Sequence, residues 1–424
     1  MALTGLVMLP LGYLRVFKTS LLSGIFTPWD CIKVGMGRFN TAFLIILGSA
    51  LACRSEGPII DRTVDNGVEV ILNHVEPYRL PGQPVGIELE PEFSIDFGSD
   101  TIGDMGLANA TEFEVDDEGR IYFLFTNKTG DLIFQFDPKG RFLHSFGSKG
   151  EGPGEIEYIN HSGFDENGNL LLSDMGNRKV LIFDKIGALI DELRYPPGAN
   201  LFIPLGSGNG FDLWQGLDET GVKRQRGFRI LNPQNDEIAI LDRQTPYDFN
   251  ELGFRGIISN PLLQARFHQQ SVYVANEERG YELLKFDLDG NLTQIIRKEY
   301  EPVSITPEEK KARAERFEQF GDKVWFPDEW LPFGDFMLDE HGYLFVRTFE
   351  RDETTGEYLF DVFNADGVFI FRKSFNIYTS GDRRLCARFR NSRLYRFEEK
   401  PDSYRIFKCS RLVWRDEDRN RSAD

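Results

Sequence analysis

The 424-residue chain is poor in several things, and each shortage closes off a class of chemistry. It has four cysteines, Cys31, Cys53, Cys386 and Cys409, and no two have the CxxC spacing of a zinc or redox site. It has five histidines. Basic charge is short as well: 49 Lys and Arg stand against 67 Asp and Glu, a formal net charge of −18. Residues 1–52 carry Arg15, Lys18, Lys33 and Arg38 against Asp30, so the remainder holds the larger negative balance. A surface this acidic repels phosphate backbones and anionic lipid, which excludes nucleic acid as a partner. The apolar run near the front, Ala42 to Ala52, is about half the length needed to span a bilayer.

What the chain does have is aromatic bulk and turns. It holds 37 Phe, 14 Tyr and 41 Gly, with the glycines set between short apolar runs, a composition that favours many strands joined by turns.

The front of the chain reads as an address. In "MGRFNTAFLIILGSALACRSEG" (36–57), Arg38 gives a basic start and the apolar run that follows fits the core of a secretory signal. Ala50-Leu51-Ala52-Cys53 then resembles the lipobox of bacterial lipoproteins, although Ala50 stands where Leu is more usual and Leu51 where a smaller residue is. The resemblance implies that Cys53 is lipidated and becomes the mature N-terminus. A short buried helix is the competing account, and the polar, turn-rich "RSEGPIIDRTVDNG" that follows at once weighs against it. Met36 is a better start than Met1. Cys386 and Cys409 then remain, either as a disulfide in an oxidising compartment or as two separate buried thiols.

The main signal is internal repetition. "FEVDDEGRIYFLF" (113–125) recurs as "GFDENGNLLLSD" (163–174) and "FMLDEHGYLFVRT" (336–348), and more loosely as "FHQQSVYVAN" (267–276) and "ARFRNSRLYRF" (387–397). The weakest copy is "GSGNGFDLWQG" (206–216). Each is an alternating run, a tight polar turn and a second alternating run, which predicts hairpins. A third strand follows in most copies, such as "LIFQFD" (132–137), and a fourth in some, such as "RFLHSFG" (141–147). Four antiparallel strands per unit, six units starting near 113, 163, 206, 267, 336 and 387, predict an all-β, six-bladed β-propeller. The last unit has three strands, and "FSIDFGS" (93–99) reads like "FLHSFGS" (142–148). The early residues should therefore complete the final blade, closing the ring and hiding its strand edges.

The stretch "FGSKGEGPGEIEYINHSGFDENGNLLLSDMGNRKVLIFD" resembles an NHL-type repeat, and its GxGPGE segment is similar to that of six-bladed propeller lipoproteins of Bacteroidetes-like bacteria. The match is strong over 113–184 and loose elsewhere. On this reading 1–53 is the signal region, 54–84 a tether, 85–415 the propeller and 416–424 a tail. The glycine-rich 146–155 joins blade one to blade two. A phosphate loop would need a helix and a Lys-Ser/Thr pair after its last glycine, and Glu155 followed by a strand stands there instead.

Propeller ligands usually bind where connectors and inner strands meet at one mouth of the channel. Glu155, Tyr158, Asn160 and His161 lie on such a connector, and Phe267, His268 and Gln269 are read as beginning another inner strand. His161 and His268 resemble the zinc ligands of NHL-fold lyases, but catalytic zinc usually takes three protein ligands, and His341 falls in a turn at the opposite rim. Gluconolactonase-type propellers hold a divalent cation in the channel, and spacing neither singles out nor excludes such ligands here. Asp174, Asn177 and Arg178 are the residue types that brace a turn in the NHL pattern.

The largest departure from the repeat is 298–335, between blades four and five. Thr306 as N-cap, Pro307 in the first turn, and Glu308 and Glu309 near the positive end predict a helix over 307–320. Trp325, Phe326, Trp330 and Phe333 follow, as a lid, a sugar-stacking platform or simply a pin for the helix. Residues 381–424 carry thirteen Lys and Arg against eight Asp and Glu, read as a solvated strand face.

These readings lead to an exported protein of the cell envelope, lipid-anchored at the periplasmic face or the outer membrane. It would bind a peptide, glycan or partner protein at the channel mouth. The alternative is a metal-dependent hydrolase or lyase with its site in the channel.

Overall fold

The computed structural model describes residues 60–424 apart from 109, 111, 127, 222–223, 246–255, 258–262, 317–323, 326, 381–383, 400–404 and 417–424. Of 256–257, 312–313, 316, 324–325, 380 and 384 it describes the backbone alone. Cys53 and the front of the stretch read as a tether lie outside the described residues.

The described chain is a six-bladed β-propeller of four-stranded antiparallel blades. Blade one is formed by 112–115, 121–124, 131–136 and 142–148, and blade two by 159–164, 170–174, 179–183 and 189–194. Blade three is formed by 201–204, 210–217, 224–231 and 237–244. Blade four comprises 263–268, 271–276, 282–287 and 292–298, and blade five 335–338, 344–351, 358–363 and 369–374. In blade six, 387–390, 393–399 and 405–415 are completed from the front of the chain by 86–96. That outermost strand pairs Phe93 with Cys409 and Ile95 with Phe407, so the ring is latched by its two chain ends as the FSIDFGS likeness predicts.

The turns explain why the repeats fold where they do. Asp116 accepts the backbone N–H of Glu118 at 3.0 Å and of Arg120 at 2.8 Å through Oδ1, while its Oδ2 takes Arg120 Nε at 2.7 Å. Gly119 follows with φ +82°, a left-handed conformation that favours glycine. The same set recurs at Asp137, Asp165 and Asp287, and Asn364 supplies it in blade five. The DxxGx pattern is therefore a self-satisfied hairpin turn.

The core lies in the seams between blades. Alternation sends one set of side chains from each strand to the preceding blade and the other set to the following one. Between blades six and one, Phe97, Phe113, Phe123, Phe397 and Phe407 meet edge to face or tilted, at centroid distances from 4.9 to 6.3 Å. Between blades two and three only Leu171, Val180, Tyr195 and Ala199 form the fully buried cluster. Cys386 and Cys409 both belong to the six–one cluster, as buried thiols rather than a disulfide. Burial, with the Glu92 charge nearby, pushes the Cys409 thiol up to about 12.

Within the stretch read as a tether, 61–65 and 68–73 form a hairpin. Strand 68–73 lies parallel to the outer strand of blade four, from Glu69 opposite Gln294 to Asn73 opposite Lys298. Val70 joins the seam of blades three and four, and Asn73, fully buried, bonds Gly367 O and Phe369 N of blade five.

Two short helices are described. Asp100–Asp104 (α1) sits between the closing strand and blade one, and Pro307–Arg316 (α2) begins the insertion between blades four and five. Thr306 and Glu309 form a reciprocal capping box: Glu309 N donates to Thr306 Oγ1 at 3.2 Å, and Thr306 N to Glu309 Oε2 at 3.0 Å. The rest of the expected helix, 317–320, lies outside the described residues.

Candidate functional site

Outer-to-inner connectors and the turns between second and third strands emerge on one rim of the ring. The glycine-rich connector there is built by its own neighbours. Glu155 Oε2 accepts Gly152 N at 2.8 Å, and a Cβ at Gly150 would fall 2.0 Å from that same oxygen. Gly154 N donates to Glu192 Oε2 at 2.9 Å, and the buried Lys179 bonds both Gly152 O, at 2.9 Å, and Glu192, at 3.0 Å. The Gly154 N–H holds the Glu192 carboxyl below the usual range, with Lys179 adding to it. Asp174 takes Glu157 N and Tyr158 N, and Asn177 reaches Gly150 O at 2.9 Å. The DMGNRK turn thus fastens the GEGPGE connector.

The candidate residues take different places. Glu155 is spent inside the connector, and Tyr158 is exposed at its end. Asn160 faces the seam with blade three, bonding Asn200 O and Tyr195 OH, each at 3.4 Å. His161 is half-buried, close enough to the Glu114 carboxyl to add to its stabilisation. His268 lies elsewhere: it ends its inner strand instead of beginning it, because Leu263, Ala265 and Phe267 already alternate into the seam of blades three and four. Its Nε2 meets Glu340 O at 3.2 Å, in the hairpin turn of blade five on the opposite rim, so His161 and His268 do not come together. Burial pulls the His268 pKa down. Trp330 is buried and stacks on Phe349 with centroids 4.4 Å apart, which fixes the insertion to blade five. Trp325 pairs through its backbone with Ile257, and its side chain lies outside the described residues.

The inner strands are stitched to one another by ion pairs. Arg388 of blade six gives Nη2 to Glu114 Oε1 at 2.9 Å and Nε to Oε2 at 3.1 Å, while Ser162 of blade two donates to Oε1 at 2.8 Å. Burial works against the Glu114 charge, yet the guanidinium holds its carboxyl below the ordinary range. Arg266 of blade four reaches Asp335 Oδ1 at 2.8 Å, and Leu385 N and Phe336 N bond the same carboxylate. Glu114 and Asp335 are two of the three acids along the inner strands, with Glu112, and each of the two is already filled by an arginine and further donors. Among the described residues no three His, Cys, Asp or Glu side chains gather as an ion site. Glu114 and Asp335 so held do not fit a channel cation.

Sequence reasoning missed two further places. Under the insertion, a recess of about 270 Å³ including its mouth is lined by Tyr281, Lys298, Glu350, Asp361 and Arg372. Asp361 is fully buried and takes Tyr281 OH at 2.8 Å, Arg372 Nε at 2.7 Å and the Lys298 ammonium at 3.4 Å. Burial pulls the Lys298 pKa down against the Asp361 charge and, with that charge, pushes Tyr281 well up. Strands far apart in sequence supply this cluster, so no local pattern announces it. The second place is a groove of about 500 Å³ on blade three, around Trp214. Its only advance sign is that blade three is the poorest copy of the repeat.

Closed four-stranded blades with an unbroken latch define the class as a six-bladed propeller. A family model described as a six-bladed beta-propeller matches residues 111–253. No curated protein matches the chain. Among solved structures, the chain is similar to a protein from Bacteroides fragilis described as exported, at 12% identity over 81% of this chain and 99% of that one, TM-score 0.47. It is also similar to virginiamycin B lyase from Staphylococcus aureus, at 8% identity over 77% and 99%, TM-score 0.38. A gluconolactonase from Xanthomonas campestris gives 14% identity over 78% and 99%, TM-score 0.37.

Proposed function

We propose that this is an exported, lipid-anchored binding protein of NHL-like, Bacteroidetes-lipoprotein type. It presents the channel mouth to a peptide, glycan or partner protein. One observation carries the choice of binder over enzyme: the inner-strand acids Glu114 and Asp335 are held by Arg388 and Arg266 of adjacent blades, so they staple the ring and are not poised for proton transfer or cation binding. The mouth-side connector is correspondingly rigid and leaves Tyr158 exposed. Export and anchoring rest on the signal-like run and on Cys53.

The test is site-specific photocrosslinking in cells. A photoreactive residue at Tyr158 captures a partner, while one at Asp289, in a turn on the opposite rim, does not. Equal capture at both positions, or none at 158, overturns the mouth as the binding face. Cys53→Ser releases the protein from membranes; unchanged fractionation removes the anchor.

A further inference from the structure

Blade three departs from the other blades in a way that leaves a shaped surface. Its inner strand ends its pairing at Leu201 opposite Leu213, whereas its second and third strands continue from Trp214 opposite Gly227 to Leu217 opposite Arg224. Among the described residues, no inner strand pairs with the sheet beyond Leu213. We propose that the groove over this extension is a binding site for a neutral carbohydrate, with Trp214 as its stacking platform.

The floor of the groove is cut to hold an indole flat. Gly227 lies directly across from Trp214, and Gly216 lies two residues on, so both share its face of the sheet. A Cβ at Gly216 would fall 3.0 Å from Cζ3 of the six-membered ring, and one at Gly227 would fall 2.8 Å from Nε1 of the five-membered ring. Both halves of the indole thus rest on bare backbone. The Nε1 atom, buried and without a protein partner, faces that backbone. The half-buried ring fronts an open groove. The Arg243 guanidinium sits 5.9 Å from the ring centroid.

The rim decides the ligand class. Donors from Gln225, Arg229 and Arg243 are interleaved with acceptors from Asp218, Glu219 and Glu237. Arg229 is already tied to Asp212 at 2.6 Å and to Glu237 at 3.4 Å, which leaves Asp218 and Glu219 against Arg243, a slight acidic excess. An anionic ligand would meet net repulsion, so a neutral one is favoured over it. A pyranose matches both features, since its C–H face packs on an aromatic plane and its hydroxyls use donors and acceptors alike. The open groove suits a sugar chain better than an enclosed metabolite.

This site is separate from the channel mouth and stands or falls apart from it. The full chain is titrated with neutral hexose and N-acetylhexosamine hexasaccharides, read by saturation-transfer NMR on the sugar protons and by tryptophan fluorescence. At least one binds; Trp214→Ala weakens it by about tenfold or more at an unchanged melting temperature, and Trp214→Phe restores part of the loss. Absence of binding by every neutral hexasaccharide, equal binding by Trp214→Ala, or a preference for sulfated or uronic-acid hexasaccharides overturns the proposal. Should Trp214→Ala fail to fold, Glu219→Ala and Gln225→Ala decide: weakened binding supports the site, and unchanged affinity in both overturns it. Photocapture at position 158 is expected to be unaffected by any of these changes.

Discussion

The seam between blades six and one and the seam between blades two and three do the same topological job with different means. The first interlocks five phenylalanines from four strands and from the connector that follows the closing strand. The second buries four side chains and adds a polar contact between Ser173 and the Tyr195 hydroxyl. The dense seam lies where the chain ends must be held together, and there the loss of one contact would open a sheet edge. The thin one lies where the chain runs continuously from blade to blade, so packing can be given up and a groove left open.

That contrast can be broken most forcefully at the latch. Phe407→Ala empties a site at the centre of the aromatic cluster, with an expected cost of ~3–5 kcal/mol in thermal or denaturant unfolding. Val180→Ala in the thin seam removes less volume from a smaller cluster, and ~1–2 kcal/mol is expected. Equal costs would show that the seams are energetically alike. Arg388→Met tests the ionic stitching: it strands the buried Glu114 charge, at ~3–5 kcal/mol near neutral pH, and addition of Glu114→Gln recovers much of the loss. A double variant no better than the single would remove the pair from the latch.

A smaller effect separates the turns. Burial, with Glu340 alongside, raises the Asp339 carboxyl to about 6. The folded state then holds a proton that the unfolded chain gives up near pH 4, so stability falls as pH rises from about 4 to 6. Asp339→Asn keeps the turn contacts, as Asn364 does in the same blade, and should remove that slope, worth ~3 kcal/mol, from a pH series of melts. The smallest effect sits on the hairpin. His74 lies 3.0 Å from Glu299 and 3.2 Å from Asp61, and its hydrogen bond to Glu299 raises its pKa. The protonated clip is complete below about pH 6.5 and fades as pH rises through the raised value. Amide protection in 61–73, taken relative to the intrinsic exchange rate at each pH, should fall over that range, and His74→Gln should flatten the change.

How much was legible follows from what is local. Strand alternation, the DxxGx turns and the latch are written in neighbouring residues, and they read correctly. The hairpin at 61–73 carried a signal as well: Asn66-Gly67 between alternating runs is a two-residue turn, and their φ values of +50° and +86° match it. Its docking on blade four is a long-range event that the run of polar residues concealed. His268 was misplaced because its strand starts at Leu263, in a stretch without the repeat's usual lead-in. The buried Asp361 cluster and the Trp214 groove arise from residues that only the closed ring brings together. For Trp330 the sequence leaves lid, sugar-stacking platform and pin open; it is a buried pin, and the partner that covers it, Phe349, belongs to the next blade.

The docked hairpin also bears on how the ring would meet a mechanical load. Tension entering from the front of the chain reaches strand 68–73 before it reaches the closing strand 86–96. That first strand lies parallel to its neighbour along five residue pairs, so its backbone bonds are strained together in shear and not unzipped one at a time. Blade four acts as a cleat: force entering from the front of the chain is taken up there, and the latch that keeps the ring shut is spared.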